Sequence, residues 1–214
     1  MVTRRRRLPA AERRETILDA ATEVFAQTGY RAAKVSDVAA RVGVTEPVVF
    51  QNFGSKAGLF AAVIERAAAR VRTSLDDLSE GFGSASGLLA HVLTGSPHGP
   101  EHAGGAYGVL FADAATMLAD ATVATAEPEV AGPARAAVRA VVAHLADLIR
   151  RAQADVDPHP EAGPGVDPEA AAWLMLSVLS ARRLRAAAMP AGLEPAVRAL
   201  ALRGLGCTPR DRWP

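Results

Sequence analysis

The segment VSDVAARVGVTEPVVFQNFGSK, residues 35–56, contains two short stretches of helical apolar periodicity on either side of Gly43. Apolar residues of the first stretch recur at intervals of three and four, and are predicted to form a buried helix face: Val35, Val38, Ala39 and Val42. The positions predicted to face outward are Ser36, Asp37, Ala40 and Arg41. Gly43 tolerates a positive φ and is expected to end this helix. The segment therefore predicts a helix-turn-helix.

The second helix of this unit is predicted to be short, at about residues 45–51. Thr45 is a favourable N-cap residue, because its side-chain oxygen can accept a bond from a backbone N–H of the first turn. Val49 and Phe53 are four residues apart and are expected to anchor the helix inward. The residues left on or near the exposed side are Glu46, Pro47, Val48, Phe50, Gln51 and Asn52.

A helix-turn-helix typically places its second helix in the major groove of DNA. Gln51 and Asn52 carry amides that can pair with a base edge or a phosphate, whereas Pro47 and Val48 can contact a thymine methyl group. Lys56 lies near the start of the next helix, where a phosphate is favoured. The alternative is that residues 35–56 form an αα-hairpin inside a helical bundle.

Residues 13–60 resemble the DNA-binding domain of the TetR family of transcriptional repressors. The family pattern combines an Ile-x-x-Ala-Ala-x-x-x-Phe helix, a Gly-Tyr pair, a Gly-Val-Ser/Thr turn and an aromatic exit ending in Lys and Leu. The matching positions are Ile17, Ala20, Ala21, Phe25, Gly29, Tyr30, Val38, Ala39, Gly43, Val44, Thr45, Phe50, Phe53, Lys56 and Leu59. The resemblance covers about the first third of the chain and implies a dimeric, DNA-binding, ligand-responsive regulator.

Three positions depart from the family pattern. Ala33 stands where the family usually has Thr or Ser at the start of the second helix, and Lys34, the next residue, becomes the candidate for that phosphate contact. Phe50 replaces a common Tyr, and Asn52 replaces a common His. These differences concern individual DNA contacts rather than the predicted binding activity.

Charge is distributed unevenly along the chain. Residues 1–72 contain 13 Lys and Arg against 7 Asp and Glu, a net charge of +6, whereas the remainder carries −5. A basic N-terminal part is expected where one end of a protein meets a polyanion. The run Arg4–Arg7 is either an arm that binds the minor groove or backbone, or a solvated tail. The residues predicted to contact DNA are Arg4, Arg5, Arg6, Arg7, Lys34, Ser36, Thr45, Glu46, Pro47, Val48, Phe50, Gln51, Asn52 and Lys56.

Beyond this unit, apolar periodicity predicts a helix that starts at about residue 55 and continues past residue 71, one helix or a pair of helices at residues 107–126, and helices at about residues 133–154, 167–188 and 193–205. Segments rich in Gly, Ser or Pro at residues 79–86, 98–105 and 155–165 are predicted to be breaks and loops. We therefore expect an all-α fold: an N-terminal three-helix helix-turn-helix domain with a basic arm, residues 1–54, and a larger helical domain, residues 55–214. The helix that begins near residue 55 is expected to link the two.

The family resemblance implies that the C-terminal domain binds a small molecule and forms a homodimer through its last two helices. Side chains that could line the ligand site, for which the alternative is plain core, are Tyr107, Phe111, Met117, His144, Leu148 and Trp173. Their apolar character favours a hydrophobic ligand. Residues predicted at the dimer interface, whose alternative is the monomer's own core, are Trp173, Leu174, Val178, Ala181, Arg182, Leu184, Arg185, Val197 and Leu200.

Composition sets broader limits. The chain has 214 residues, of which 50% are hydrophobic, enough for two small domains or one large domain. It contains no apolar run of about 18 residues and no signal-peptide pattern, so a cytoplasmic protein is expected. The single cysteine, Cys207, cannot form an intramolecular disulfide.

Motifs that indicate catalysis or metal binding are weak. His98 and His102 have the H-x-x-E-H spacing of a zinc site, but the intervening Gly99 and Pro100 disfavour the helix that this spacing requires. No enzymatic activity, metal or cofactor is predicted. The alternative function is a helical enzyme or ligand carrier that uses the helix-turn-helix only as a packing unit, which would show no salt-dependent DNA binding.

Overall fold

The computed structural model describes residues 9–81, 85–94, 114, 128–154, 166–181, 185, 187–190 and 192–204. The long regular elements of these ranges are all α-helices. They are α1 Ala10–Ala32, α2 Val35–Val42, α3 Glu46–Phe53, α4 Lys56–Gly81, α5 Ala85–Thr94, α6 Pro128–Ala154, α7 Pro168–Ser180 and α8 Glu194–Gly204. The protein is all-α, with an N-terminal helix-turn-helix and a helical C-terminal part, as the sequence predicts. None of the helices within these ranges has the length and apolar content needed to cross a membrane.

The chain divides into two compact units. The first comprises Met1–Ala67 and Ala103–Ala136, and the second comprises Ala68–His102 and Ala137–Pro214. Both α4 and α6 contribute residues to each of the two ranges. The domain boundary between residues 54 and 55 stays a prediction.

Three aromatic rings form the centre of the first unit. The rings of Phe25 and Phe60 meet edge to face with centroids 5.0 Å apart, and the Tyr30 ring lies 4.8 Å from that of Phe60. Phe25 and Phe60 are 1% and 0% exposed. Because these residues come from α1 and α4, the cluster fixes the start of α4 against α1. Other buried side chains around it include Ile17, Val24, Val38, Val49, Leu59, Val63 and Ile64.

Gly29 interrupts α1 three residues before its end. Its backbone has φ 74° and ψ 164°, a combination that is essentially restricted to glycine. The carbonyl of Gly29 then accepts a bond from the N–H of Ala33 at 3.1 Å, and Lys34 follows in an extended conformation. The Gly-Tyr pair therefore marks the position where the chain leaves α1 and turns into α2.

In the second unit, α5, α7 and α8 contact one another. Asp167 caps α7, because its Oδ1 accepts a bond from the N–H of Ala170 at 2.8 Å, and Pro168 occupies the first helical position. Ala172 and Met175 of α7 are fully buried. The last helix, α8, agrees with the predicted helix at residues 193–205 to within one residue.

Two helix boundaries were predicted wrongly, and the predicted break at residues 79–86 is helical up to Gly81 and again from Ala85. The helix predicted to start at Pro133 begins at Pro128, with Pro133 inside it. Burial of Val130, Ala131 and Ala134 outweighs the hydrogen bond that the proline removes. The helix predicted to continue to residue 188 ends at Ser180. The helices and loops predicted at residues 98–126 and 155–165, and Cys207, lie outside the described residues apart from the buried Ala114.

Arg185 joins the end of α7 to the start of α8. Its Nη1 donates to the carbonyl of Val178, while its Nε and Nη2 donate to the two carboxylate oxygens of Glu194 at 3.2 and 3.3 Å. The guanidinium therefore satisfies one of the last carbonyls of α7 and binds the first residue of α8. The hydrogen bond from Arg185 holds the pKa of Glu194 below its usual value of 4.5, against the opposing effect of burial.

We expect Glu194→Gln to reduce the free energy of unfolding at pH 7 by about 0.5 kcal/mol, because solvent screens an ion pair whose carboxylate is 27% exposed. A carboxyl with a lowered folded pKa stabilises the fold above its unfolded pKa, and that stabilisation is lost as the pH falls below about 4.5. Urea titrations of both proteins at pH 7 and near pH 3 measure this. If the two proteins still differ in free energy of unfolding near pH 3, the stabilisation does not come from the ion pair of Arg185 with the Glu194 carboxylate.

Candidate nucleic-acid interface

The buried face of α2 agrees with the predicted pattern at three of its four positions. Val35, Val38 and Ala39 are buried, whereas Val42, at the end of the helix, is only half-buried, which corrects the prediction for that residue. On the opposite side Asp37, Ala40 and Arg41 are exposed, and Ser36 is half-buried. Lys34, immediately before α2, is exposed as well.

The turn between α2 and α3 is a Schellman motif. Gly43 has φ 73° and ψ 36°, and its N–H donates to the carbonyl of Ala40 at 3.2 Å. The N–H of Val44 donates to the carbonyl of Ala39 at 3.0 Å. Both bonds satisfy carbonyls at the end of α2 and fix the direction in which the chain enters α3. The predicted role of Gly43 is confirmed.

Thr45 occupies the N-cap position of α3, but it does not cap the helix as predicted. Its carbonyl accepts bonds from the N–H groups of Val48 and Val49 at 3.0 and 3.4 Å, whereas its hydroxyl makes no capping bond. The side chain is exposed. The hydroxyl is thus at the surface beside the first turn of α3.

α3 buries one residue and exposes most of the others. Val49 is 1% exposed, whereas Phe50 is 39% exposed and is one of the large apolar side chains at the surface of the described residues. Glu46, Pro47 and Gln51 are exposed as predicted, and the half-buried residues are Val48, Asn52 and Phe53. The Nδ2 of Asn52 donates to the carbonyl of Val48 at 2.7 Å, so part of the Asn52 amide is already bound to its own helix.

Arg14 is a residue of this region that sequence reasoning did not single out for a specific role. Its Nη1 donates to the carbonyl of Asn52 at 2.7 Å, and its guanidinium lies 4.3 Å from the centre of the Phe53 ring. The sequence offers no local signal for this contact, because 38 positions separate the two bonded residues.

Lys56 has a structural contact at the start of α4. Its Nζ donates to the carbonyl of Arg31 at 3.2 Å and lies 4.8 Å from the centre of the Tyr30 ring. The side chain is half-buried. The N-terminus of α4 is capped by Ser55, whose Oγ accepts a bond from the N–H of Gly58 at 3.0 Å.

Acidic residues of α1 bind two arginines of the basic N-terminal part. Arg66 lies 2.9 Å from Asp19 and also donates to the hydroxyl of Thr22 at 2.7 Å. Arg41 lies 2.6 Å from Glu23. These two arginines fix α4 and α2 to α1, so their charges are largely offset within the fold. Arg4–Arg7, the predicted basic arm, lie outside the described residues.

Several of the predicted dimer-interface residues are exposed apolar side chains. Trp173, Leu174 and Leu200 are 43%, 42% and 61% exposed. Half-buried residues of the predicted set are Val178, Ala181, Arg185 and Val197, whereas Arg182 and Leu184 lie outside the described residues. An apolar surface of this kind on two adjoining helices is typical of a protein interface.

Only some of the predicted ligand-lining residues lie within the described part of the chain. Leu148 is 1% exposed, and Nε2 of His144 lies 3.1 Å from Oδ1 of Asp76, at an angle unsuited to a hydrogen bond. Trp173 is among the exposed residues named above. Tyr107, Phe111 and Met117 lie outside the described residues.

Residues 17–63 match the family model of bacterial regulatory proteins of the tetR family. The HTH-type transcriptional activator FasR of Mycolicibacterium smegmatis is 50% identical over 54 residues, a segment that spans 25% of each chain. A crystal structure from Rhodococcus sp., assigned to the TetR family of transcriptional regulators, is 25% identical, with a TM-score of 0.66 over 92% of this chain and 97% of that one. A TetR-family regulator from Cytophaga hutchinsonii is 14% identical, with a TM-score of 0.74 over 97% of this chain and 100% of that one.

Proposed function

We propose that this chain, which belongs to the TetR family of transcriptional regulators, is a homodimeric repressor that a small molecule releases from a palindromic operator. The observation that carries the DNA-binding part is α3, an eight-residue helix whose described side chains include one buried anchor, Val49. Its surface offers Glu46, Pro47, Phe50 and Gln51 to a groove. The proposal places the protein in the cytoplasm, together with the DNA it binds.

Salt dependence tests this proposal directly. Affinity for a duplex selected by the protein from a random library should fall steeply as salt rises, because bound lysines and arginines release counterions from the phosphates. A protein that uses the helix-turn-helix only for packing would select no duplex. If the protein does select a duplex, footprinting on the DNA next to its own gene would locate the operator.

Gln51 and Lys34 should have different effects on binding. We expect Gln51→Ala to cost about 1 kcal/mol on the selected duplex and to relax preference at one or two base pairs. Lys34→Gln should weaken binding to all duplexes alike and reduce the salt slope by about 1.8, which is about 0.9 for each subunit of the dimer. Lys34 is a cleaner test of a phosphate contact than Lys56, which also holds the carbonyl of Arg31. Equal effects of both variants on base preference would contradict these roles.

Dimerisation is supported by the exposed apolar residues of α7 and α8. One short helix reads few bases, whereas two, about 34–36 Å apart, can read both halves of a palindrome. We expect Leu200→Glu to shift the protein from dimer to monomer in sedimentation, because a charge would be buried in the interface. Leu200 is 61% exposed, so the helix itself should keep its stability. Glu80→Lys, an exposed charge change in α4, is the control and should leave the dimer intact.

The effector is proposed to be a small hydrophobic molecule bound in the C-terminal domain. Release requires that the ligand bind one arrangement of the subunits more tightly than the other, with α4 shifting between them. A thermal-shift screen of hydrophobic compounds, followed by operator release, would identify it. Promoter output after gene deletion distinguishes repression from activation. Output rises if the protein is a repressor and falls if it is an activator, as FasR is.

A further inference from the structure

We propose that Arg14 is a positioning residue for α3: it holds the C-terminal end of this helix from α1 and so determines which bases the helix reads. The inference rests on the DNA-binding function proposed above. It assigns Arg14 a role through the protein rather than through a direct contact with phosphate.

The geometry joins Arg14 to the last two residues of α3. Its Nη1 donates to the carbonyl of Asn52 at 2.7 Å, and its guanidinium carbon lies 4.3 Å from the centre of the Phe53 ring. The first contact is a charge-assisted hydrogen bond, and the second is a cation–π contact. Together they fix the helix end both along its axis and in rotation.

The end of α3 needs such a cation. The last carbonyls of a helix lack partners within it, and the C-terminus carries partial negative charge. The last turn of α3 contains no basic residue of its own. The carbonyl of Phe50 accepts a bond from Gly54 N–H at 2.7 Å, and that of Phe53 accepts one from Ser55 N–H at 2.8 Å. Arg14 supplies a donor to the carbonyl of Asn52 from α1.

The shortness of α3 makes this contact important. Eight residues span about 12 Å. Val49 is the described residue of α3 that is fully buried, and the Schellman turn fixes the N-terminal end. Without Arg14, the C-terminal half keeps the two turn bonds just described, the Asn52–Val48 bond and the partial burial of Phe53. Gln51 lies in that half, so its amide would move relative to the bases.

Salt and sequence dependence separate positioning from a phosphate contact. On the selected duplex, Arg14→Ala should weaken binding about fivefold to tenfold, with an unchanged salt slope. It should also lower the ratio of affinities for the selected duplex and for one with altered bases. A salt slope reduced by about 1.8 for the dimer, with an unchanged ratio, would show a phosphate contact and overturn the proposal. Lys34→Gln, which removes a positive charge just before α2, should leave the ratio unchanged.

A double-mutant cycle tests the link through α3. Phe53→Leu removes the ring under Arg14 but leaves the guanidinium available to DNA. If Arg14 acts through α3, the losses of affinity in Arg14→Ala and Phe53→Leu should not add in the double variant. Additive losses would overturn the proposal.

Hydrogen exchange gives a measurement that needs no DNA. The N–H of Gly54 bonds to the carbonyl of Phe50 at the same end of α3. Arg14→Ala should speed its exchange about fivefold, because the helix end frays more often, whereas Lys34→Gln should not. An unchanged rate would overturn the inference. If the wild-type protein selects no duplex, the proposed function fails while this exchange rate still decides the role of Arg14.

Discussion

Phe60→Ala should lower the free energy of unfolding of the N-terminal unit by about 3–5 kcal/mol. The Phe60 side chain is 0% exposed and meets both other rings of the aromatic cluster, at 5.0 and 4.8 Å. Its removal loses the transfer free energy of the ring and leaves a cavity that the rigid surroundings fill only in part. Since many domains are stable by only about 5–15 kcal/mol, the variant should unfold at a much lower temperature.

Phe50→Ala provides the matched control for this experiment. Phe50 is the same residue type in the same unit, but it is 39% exposed on α3. We expect its replacement to change stability by less than about 1 kcal/mol, while DNA affinity falls. Circular dichroism melts and duplex titrations on the two variants measure both effects. If Phe50→Ala unfolds the protein and Phe60→Ala does not, the assignment of core and interface is wrong.

The sequence predicted the helix-turn-helix well because its signals are local. Each signal depends on neighbours within one or two helical turns. The signals are the spacing of Val35, Val38 and Ala39, the glycine at position 43 and the inward Val49. Each of these predictions is confirmed by burial or backbone geometry. The all-α fold follows from the same periodicity repeated along the chain.

Long-range contacts were beyond this kind of prediction. Arg14 and Asn52 are 38 positions apart, and Arg66 and Asp19 are 47 apart, so no local pattern indicates either pair. The charge count included Arg41 and Arg66 in the basic N-terminal part, whereas both bind acidic residues of α1. Apolar periodicity predicts a helix from about residue 133, but packing of the neighbouring residues carries the helix from Pro128 through Pro133.

Gly29→Ala should destabilise the N-terminal unit by about 1–3 kcal/mol and weaken DNA binding. At φ 74° and ψ 164° a Cβ atom meets the neighbouring backbone, so the variant must either accept this strain or change the path of the chain. A changed path would move Tyr30 in the aromatic cluster, as well as the entry into α2. Thermal melts and duplex titrations measure the two effects.

Comparison with Gly43 shows that the cost of replacing a glycine depends on ψ as well as on the sign of φ. Gly43 lies in the left-handed helical region at ψ 36°, which asparagine tolerates, whereas Gly29 at ψ 164° lies outside it. Gly43→Asn should therefore cost less than Gly29→Asn. Gly81→Ala, where an added Cβ has no neighbour within 4 Å, controls for the general effect of replacing glycine and should change stability by less than about 0.5 kcal/mol. Equal melting temperatures for the two asparagine variants would mean that the chain can leave α1 by another route, and that the Gly-Tyr pair does not determine the placement of α2.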